Sequence, residues 1–355
     1  MSPMRWRSVA LRLGAVLVAV LLTLPIVAAC GVTPAEGWTS LVNGACGSID
    51  KFGYVLATAG PLLLCAAGLL IAFSAGLWNI GVEGQVALGA VAAFAVLRAP
   101  WAVEHPIVAN LGAAVAAWLA GAAWALVTAV LKTRGKIHEI FGGLALNFVA
   151  AGVTLYLILG PWKRPGVGST SGSAPLRETL WLLVLGEWNL SAVELLLPIV
   201  ALIAVTVLLK GTYFGLRLKA LGANGRAAER LGVPVRRNLT IALCASGALA
   251  GLAGWLLIVG VSAQHNLHSE ISGGFGYLAL LLVLLANMRA RWCVPLALLF
   301  AVLLRGGLQL SMDHGLDASV GGVLQGVLVL AALFASGLVA KWQLSSSREG
   351  DRGHG

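Results

Sequence analysis

The stretch GYVLATAGPLLLCAAGLLIAF, residues 53–73, carries no charged side chain. A helix of about 20 apolar residues is long enough to cross the hydrocarbon core of a membrane. Because apolar and polar residues do not alternate, such a run favours a helix over a β-barrel strand. Comparable runs recur near residues 13–29, 86–98, 107–131, 139–160, 191–209, 239–259, 277–288, 293–310 and 318–340. The sequence therefore predicts an all-α, polytopic membrane helical bundle of about ten transmembrane helices.

The composition agrees with a membrane protein. Of 355 residues, 59% are hydrophobic and 11% are charged, whereas a soluble domain has about a quarter of its residues charged. The net charge of +10 could indicate a nucleic-acid binder. In a membrane protein, however, Lys and Arg concentrate on cytoplasmic loops and fix the orientation. We therefore predict membrane lipid as the surroundings and no nucleic-acid partner.

The basic residues set the predicted topology. With the N-terminus inside, most basic clusters fall on the cytoplasmic side, as the positive-inside rule requires. These clusters are Lys132–Lys136, Lys210–Arg237, Arg289–Arg291 and Lys341–Arg352. Both termini are then cytoplasmic. One loop opposes the rule, because residues 161–190 face outward and carry Lys163, Arg164 and Arg177.

The chain divides into three predicted parts. Residues 1–12 form a cytoplasmic N-terminus, residues 13–340 a transmembrane domain, and residues 341–355 a cytoplasmic tail. Within the domain, residues 211–238 form a cytoplasmic loop. No Pro- or Ser-rich linker interrupts the domain, so we interpret it as one bundle.

The N-terminal run allows two interpretations. Arg5, Arg7 and Arg12 precede an apolar stretch, and Val27–Gly31 is similar to a lipoprotein cleavage box, so the segment could be a signal peptide. Because many spans follow, we predict an uncleaved first helix. Cys30 and Cys46 could pair in an oxidising compartment, and the spacing of the five cysteines predicts no zinc site.

Two polar, Gly-containing segments interrupt the apolar pattern. The first is Ser74–Gln85 and the second, outward in this topology, is Ser262–Gly276. Broken helices are where transporters expose backbone and polar side chains to a water-lined path. We predict that both segments lie along such a path.

Glu83 is the strongest candidate for a functional residue within these segments. A carboxylate among apolar residues must be paired, protonated or exposed to water. Asn79 would share its face if the segment is helical. Asn79, Glu83 and Gln85 then line or brace the path, and the alternative is a cytoplasmic turn with Glu83 solvated or capping a helix.

Three further sites leave alternatives open. Asn147 bonds to a neighbouring helix or lines the path, and Arg305 extends to the interface or contacts solute or a carboxylate. The group His265, His268 and Glu270 has a spacing that suggests a metal, but its glycine-rich surroundings favour a solvated loop. Contact with a solute or a docking protein is the third interpretation.

The cytoplasmic loop contains a predicted short helix. Residues 222–232, GANGRAAERLG, place Asn224 as N-cap and Gly232 as the C-terminal stop. A short helix between two spans suits docking onto a cytoplasmic partner. The candidate contact residues are Ala223, Asn224, Arg226, Ala227, Ala228, Glu229 and Leu231. Separately, the small residues of Ser246–Gly254 allow another helix to approach closely.

Several of these stretches resemble one family. Trp78–Gln85, WNIGVEGQ, resembles the "FNIGxEGQ" signature of the nucleoside and simple-sugar branch of the branched-chain amino acid/ribose ABC permeases. His138–Asn147 is similar to that family's "NEVIxTLMLN" stretch, and Leu221–Val233 to its cytoplasmic "GxNPxAAxxxGI" loop. The matches keep family order from about residue 60 to 330. Trp78 for Phe and Gly225 for Pro depart from the pattern.

The resemblance implies an importer subunit in a bacterial plasma membrane. It implies a second, paralogous permease, a cytoplasmic ATP-binding subunit and an extracytoplasmic solute-binding protein as partners. It places the "NIGxEGQ" segment near the translocation path and assigns Ala223–Leu231 to ATPase coupling. Nucleosides, or related simple sugars, are the implied solutes.

The chain lacks a GxxxxGK[ST] motif, because the sequence after Gly135-Lys136 fails at the next position. We therefore expect no cofactor in this chain, with ATP and Mg²⁺ on the partner ATPase, and no enzyme activity of its own. The same absence suits a secondary transporter of a small polar solute, which remains the alternative.

Overall fold

The computed structural model describes residues 31–164 and 172–316, and the single positions 28, 166, 322, 323, 326, 327, 330 and 334. Over that part of the chain the fold is helical, and extended pairing is confined to one isolated bridge between Lys163 and Ser173. The helices are α1 Pro34–Cys46, α2 Ile49–Ser74, α3 Val82–Leu97, α4 Pro106–Thr133, α5 Glu139–Leu159, α6 Ala192–Gly211, α7 Tyr213–Ala223, α8 Gly225–Arg230, α9 Val235–Val259, α10 Phe275–Leu285 and α11 Ala290–His314.

Six of these helices are long and apolar enough to cross a membrane: α2, α4, α5, α6, α9 and α11. Two further apolar helices, α3 and α10, are shorter. All eight coincide with predicted spans, although α3 begins four residues earlier than predicted and α10 ends at Leu285 instead of residue 288. The predicted spans 13–29 and 318–340 lie outside the continuously described ranges, as do Cys30 and both predicted cytoplasmic termini.

Local sequence signals explain where α6 begins. Ser191 precedes the first turn and accepts a hydrogen bond from the Val193 N–H, while the Glu194 carboxylate reaches back to the Ser191 N–H. This reciprocal arrangement is a capping box, which satisfies N–H groups that the first helical turn leaves unbonded. It fixes the entry of the chain into the bundle after the long loop 160–191.

The described residues form two compact units, residues 53–298 and the remainder, with boundaries inside α2 and α11. In the smaller unit, α1 and the later part of α11 lie side by side. A Cβ atom on Gly306 would sit 2.6 Å from the Leu41 carbonyl oxygen, so glycine allows this close approach. Arg305 is half-buried in this unit.

The core of the larger unit is the contact of α9 with α3 and α4. Gly251 packs so closely against the Ala117 backbone and Gly89 that any side chain would overlap them. Gly121 and Gly247 make a similar backbone approach between α4 and α9. The small residues predicted to allow close helix packing therefore do so, and this packing fixes α3 in the interior.

Candidate functional site

The chain between α2 and α3 is not helical. After Ser74 it turns through Gly76, whose φ of 72° suits glycine, and it stays irregular until α3 begins at Val82. The predicted interruption of the helical pattern at this segment is present. We call residues 75–81 the broken segment.

Asn79 and Gln85 bond to each other at the end of this segment. The Asn79 amide donates to the Gln85 side-chain oxygen at 2.8 Å, and the Gln85 amide donates back at 2.9 Å. Asn79 also donates to the Ser246 hydroxyl of α9 at 2.9 Å. Both amides are fully buried. The pair therefore ties the broken segment to the small-residue face of α9.

Glu83 points elsewhere, toward the start of α10. One carboxylate oxygen accepts the Gly274 N–H at 2.8 Å. The other accepts the Gly276 N–H at 2.8 Å and the Tyr277 N–H at 3.4 Å. The side chain is 9% exposed. Glu83 thus supplies an N-cap from another part of the chain, at a terminus where free N–H groups favour an anion.

This geometry settles two points that the sequence leaves open. Asn79 does not share a face with Glu83, because the segment before Val82 is not helical and the four-residue spacing no longer sets their relation. Glu83 is not solvated either. It caps a helix, but that helix is the distant α10 instead of its own.

Asn147 of α5 holds the broken segment from a third side. Its oxygen accepts the Gly84 N–H at 2.9 Å, and its amide donates to the Ile80 carbonyl at 2.9 Å and to the Tyr277 hydroxyl at 3.0 Å. Of the two predicted roles, bonding to a neighbouring element is the one present. Asn147 and Glu83 together connect α5, the broken segment and α10.

The second polar segment runs deep into the bundle. Its Leu267 pairs with Ser173 in the loop that follows α5, whereas Gly274 bonds to Glu83 in the first turn of α3. Glu83 lies 14 residues before Leu97 on α3, which is about 21 Å along the helix axis. Residues 267–274 therefore run from the loop after α5 to the first turn of α3, and the outward position of Ser262–Gly276 stays a prediction.

The start of the broken segment meets the predicted coupling loop. A Cβ atom on Gly222, in the last turn of α7, would sit 2.6 Å from the Ser74 carbonyl oxygen and 3.1 Å from the Gly76 nitrogen. Nearby, buried Glu139 pairs with Lys132, and the Trp78 N–H lies 3.5 Å from its carboxylate. The loop and the broken segment are thus in direct backbone contact.

The short helix in that loop is present as α8. Asn224 accepts the Ala227 N–H at 3.0 Å as N-cap, and Gly232 has a φ of 82° just beyond the end. Within it, Ala228 is 2% exposed, whereas Leu231 is 84% exposed. Ala223, Asn224, Arg226, Ala227 and Glu229 are exposed. Ala228 therefore packs inside this chain, and the outward surface belongs to its neighbours.

The His265 group is not a solvated loop. His265 is buried and stacks on Trp181 with ring centroids 3.8 Å apart, and its Nδ1 donates to the Ile258 carbonyl. Burial lowers the pKa of His265, and the bond to the Ile258 carbonyl partly opposes this. Glu270 is exposed. The described part of the chain contains no cluster of three His, Cys, Asp or Glu side chains able to hold a metal.

Comparison with known proteins identifies the family. Residues 52–333 match the family described as the permease component of branched-chain amino acid transport systems. The chain belongs to this permease family. The predicted resemblance to ABC permeases of this superfamily is therefore confirmed.

Three relatives of the permease cover most of the chain. It is 28% identical to the guanosine ABC transporter permease protein NupP of Bacillus subtilis, over 84% of this chain and 86% of the relative. It is 29% identical to NupQ, named as a guanosine ABC transporter permease protein of the same organism, over 63% and 71%. It is 31% identical to the glucose ABC transporter permease protein TsgB13 of Haloferax volcanii, over 79% and 76%.

Sequence reasoning missed several residues that complete the polar site of the permease. The sequence pattern predicts Ser246 only as a small packing residue, although its hydroxyl accepts a hydrogen bond from the Asn79 amide. Tyr277, at the start of the apolar run 277–288, accepts a hydrogen bond from the Asn147 amide at its hydroxyl. Glu139 gave a stronger signal, since a carboxylate at the start of an apolar run needs a partner, which Lys132 supplies.

Proposed function

We propose that this chain is the transmembrane permease subunit of an ABC importer for nucleosides, driven by a separate ATPase. The observation that carries the proposal is the end-to-end similarity to NupP, which spans 84% of this chain. Six helices long enough to cross a membrane support it, as does an interior polar network of the kind that broken transporter helices form.

The guanosine relatives make a nucleoside the first solute to test. A purine nucleoside offers a flat base and several hydroxyl groups, and it carries no charge. The glucose relative, at 31% identity, keeps simple sugars as the second choice. Hydrogen-bonding groups shared by both solutes suit a polar path better than an apolar pocket.

Within the path, we assign bracing roles to Asn79, Glu83, Gln85 and Asn147. All four are buried in this chain, and their bonds go to backbone and side chains of the bundle. The exposed side chains beside these four residues are better candidates for contact with solute. Trp78, Ser269, Glu270 and Tyr277 are exposed and border the broken segment or the start of α10.

Coupling to the ATPase fits the outward surface of α7 and α8. Tyr213, Leu216 and Leu231 are large apolar side chains that are more than half exposed in a loop predicted to be cytoplasmic. Exposed apolar groups among basic residues are typical of a protein-binding surface. Backbone contact between Gly222 and Gly76 gives a route from that surface to the bracing network.

The proposed assembly has three further chains. A paralogous second permease is supported by the pair NupP and NupQ, two relatives from one organism that are both named as guanosine ABC transporter permeases. A cytoplasmic ATP-binding subunit and an extracytoplasmic solute-binding protein complete the importer. ATP and Mg²⁺ then reside on the ATP-binding subunit, and the location is a bacterial plasma membrane.

Uptake by the assembled transporter in proteoliposomes tests the proposal. We expect labelled guanosine to accumulate only when the binding protein is outside and ATP is inside. Uptake measured for a panel of nucleosides and sugars then ranks these solutes by how well they are transported. Uptake by this chain alone, driven by an ion gradient without ATP, would instead establish a secondary transporter.

A further inference from the structure

A cavity opens where α3 ends and the chain passes to α4. It encloses about 770 Å³ and is bordered by the loop after α5. This size falls within the range of about 300–1,000 Å³ that small-molecule sites occupy. The bracing network at Glu83 lies at the opposite end of α3, about 21 Å away along the helix. The cavity therefore does not belong to the site described above.

Three cationic side chains from separate segments surround this cavity. They are Arg98 at the end of α3, and Lys163 and Arg177 in the loop between α5 and α6. Glu104 is the carboxylate in the lining. None of the three cations has a carboxylate within 4.0 Å among the described residues. The described lining therefore carries more positive than negative charge.

The floor of the cavity is apolar. Phe94, Leu97 and Leu180 line it and are at most 2% exposed. Trp162 stands against Phe94 and lies under the Arg98 guanidinium, which is 5.0 Å from the ring centroid. A ligand that fits this lining carries an anionic group next to an apolar portion.

The position of the cavity favours a lipid over a soluble anion. Trp101, Trp162 and Trp181 lie in the same connecting segments, and tryptophan is enriched at the membrane–water interface. Asn110 of α4 donates to the Leu180 carbonyl in the cavity wall. On the first turns of that helix, Ile107 and Leu111 are largely exposed and offer an apolar surface for an acyl chain.

The site also explains the exception to the positive-inside rule. Lys163 and Arg177 lie in a loop predicted to face outward, where basic residues are disfavoured for topology. Basic pockets between membrane helices bind anionic head groups on the cytoplasmic side of membranes, and here the same cationic chemistry lies on the predicted outward side. Arg pairs with phosphate through two parallel hydrogen bonds. We propose that this cavity is a binding site for the phosphate head group of an anionic phospholipid in the outer leaflet.

Native mass spectrometry of the full-length chain, released from nanodiscs containing phosphatidylglycerol or phosphatidylcholine, tests the proposal. We expect preferential retention of phosphatidylglycerol. The double variant Arg98→Gln with Arg177→Gln should weaken that retention about tenfold or more, because it removes two charge-assisted contacts. The matched control, Arg134→Gln with Lys136→Gln, removes two exposed cations from the predicted cytoplasmic side and should retain lipid as the unmodified chain does.

Two further measurements distinguish a bound lipid phosphate from a soluble anion. Glu104→Gln should strengthen retention, which keeps the test decisive if the double variant is poorly expressed. Inorganic phosphate should not displace the lipid at millimolar concentration, and displacement would overturn the proposal in favour of a soluble anion. Unchanged lipid retention in the double variant, with weaker capture of the solute-binding protein, would overturn it in favour of a protein-docking surface.

Discussion

Glu83 joins two segments that are almost 200 residues apart in the chain. Its bonds to the Gly274 and Gly276 N–H groups span sequence separations of 191 and 193 residues. Charge-assisted hydrogen bonds contribute about 1.5–3 kcal/mol each. Removing the carboxylate leaves N–H groups at the start of α10 without a partner in a buried place. One side chain therefore holds the start of α10 against the first turn of α3.

We expect Glu83→Ala to abolish most solute uptake, and Glu83→Gln to retain part of it. Both carboxylate oxygens accept bonds, whereas the glutamine amide offers one acceptor and turns an NH₂ group toward backbone N–H groups. Each unmet group costs about 1–3 kcal/mol, enough for a tenfold loss or more. Uptake normalised to subunit abundance measures this. Normal uptake by both variants would leave Glu83 without a role in transport.

Ala227 and Ala228 are neighbours with opposite predicted effects. Ala228 packs inside this chain, so Ala228→Asp buries an unpaired charge and should lower the abundance of the folded subunit. Ala227 is exposed, so Ala227→Asp should leave abundance normal and reduce co-purification of the ATPase. Equal ATPase recovery with Ala227→Asp would remove the exposed face of α8 from the proposed interface.

At the scale of elements, α7 contacts the broken segment through glycine. The Gly222 position approaches the Ser74 and Gly76 backbone too closely for a side chain. Because packed interiors do not deform continuously, a shift of α7 has to move residues 74–76 with it. The broken segment in turn bonds to α5, α9 and, through Glu83, to α10. Motion at the exposed surface of α7 can thus reach the interior without a long side-chain relay.

We expect Gly222→Ala to reduce uptake severalfold while the ATPase still binds. The added methyl group overlaps the Ser74 carbonyl, and such overpacking typically costs about 1–3 kcal/mol. Gly225→Ala is the matched control, since a Cβ atom there meets open space. Uptake and ATPase co-purification are measured for both. Equal uptake by the two variants would mean that this contact does not transmit motion.

At the scale of the whole molecule, helix ends sort into two groups. The breaks before α5 and around α7 and α8 carry basic clusters, whereas the loops after α3 and α5 carry Trp101, Trp162 and Trp181 and line the basic cavity. This separation supports one orientation in the membrane. The same arrangement places the proposed ATPase surface and the proposed lipid site on opposite sides.

Thiol labelling of intact cells checks this orientation. In a chain whose native cysteines are replaced by serine, Ala223→Cys should react with a membrane-impermeant reagent only after the cells are opened. Glu187→Cys, in the loop before α6, should react in intact cells. Both positions are exposed. Labelling of Ala223→Cys from outside would reverse the topology.

The sequence by itself determined the helical class, the six helices long enough to cross a membrane, two shorter apolar helices, the family and the two interrupted segments. Length of apolar runs, clustering of basic residues and glycine-rich polar stretches are local properties, and each leaves a direct trace in the sequence. The N-cap role of Asn224 and the close packing of Gly251 belong to the same class.

Only the tertiary structure decided which polar groups meet. Asn79 pairs with Gln85 and Ser246, while Glu83 crosses to α10, because the chain turns at Gly76 and breaks the helical register on which the spacing argument depended. Three further features depend on contacts between distant segments of the chain. These are the burial of Ala228, the course of residues 267–274 toward the first turn of α3, and the position of Arg98 and Arg177 around one cavity. Such contacts form through the packing of the whole bundle, so no local pattern contains them.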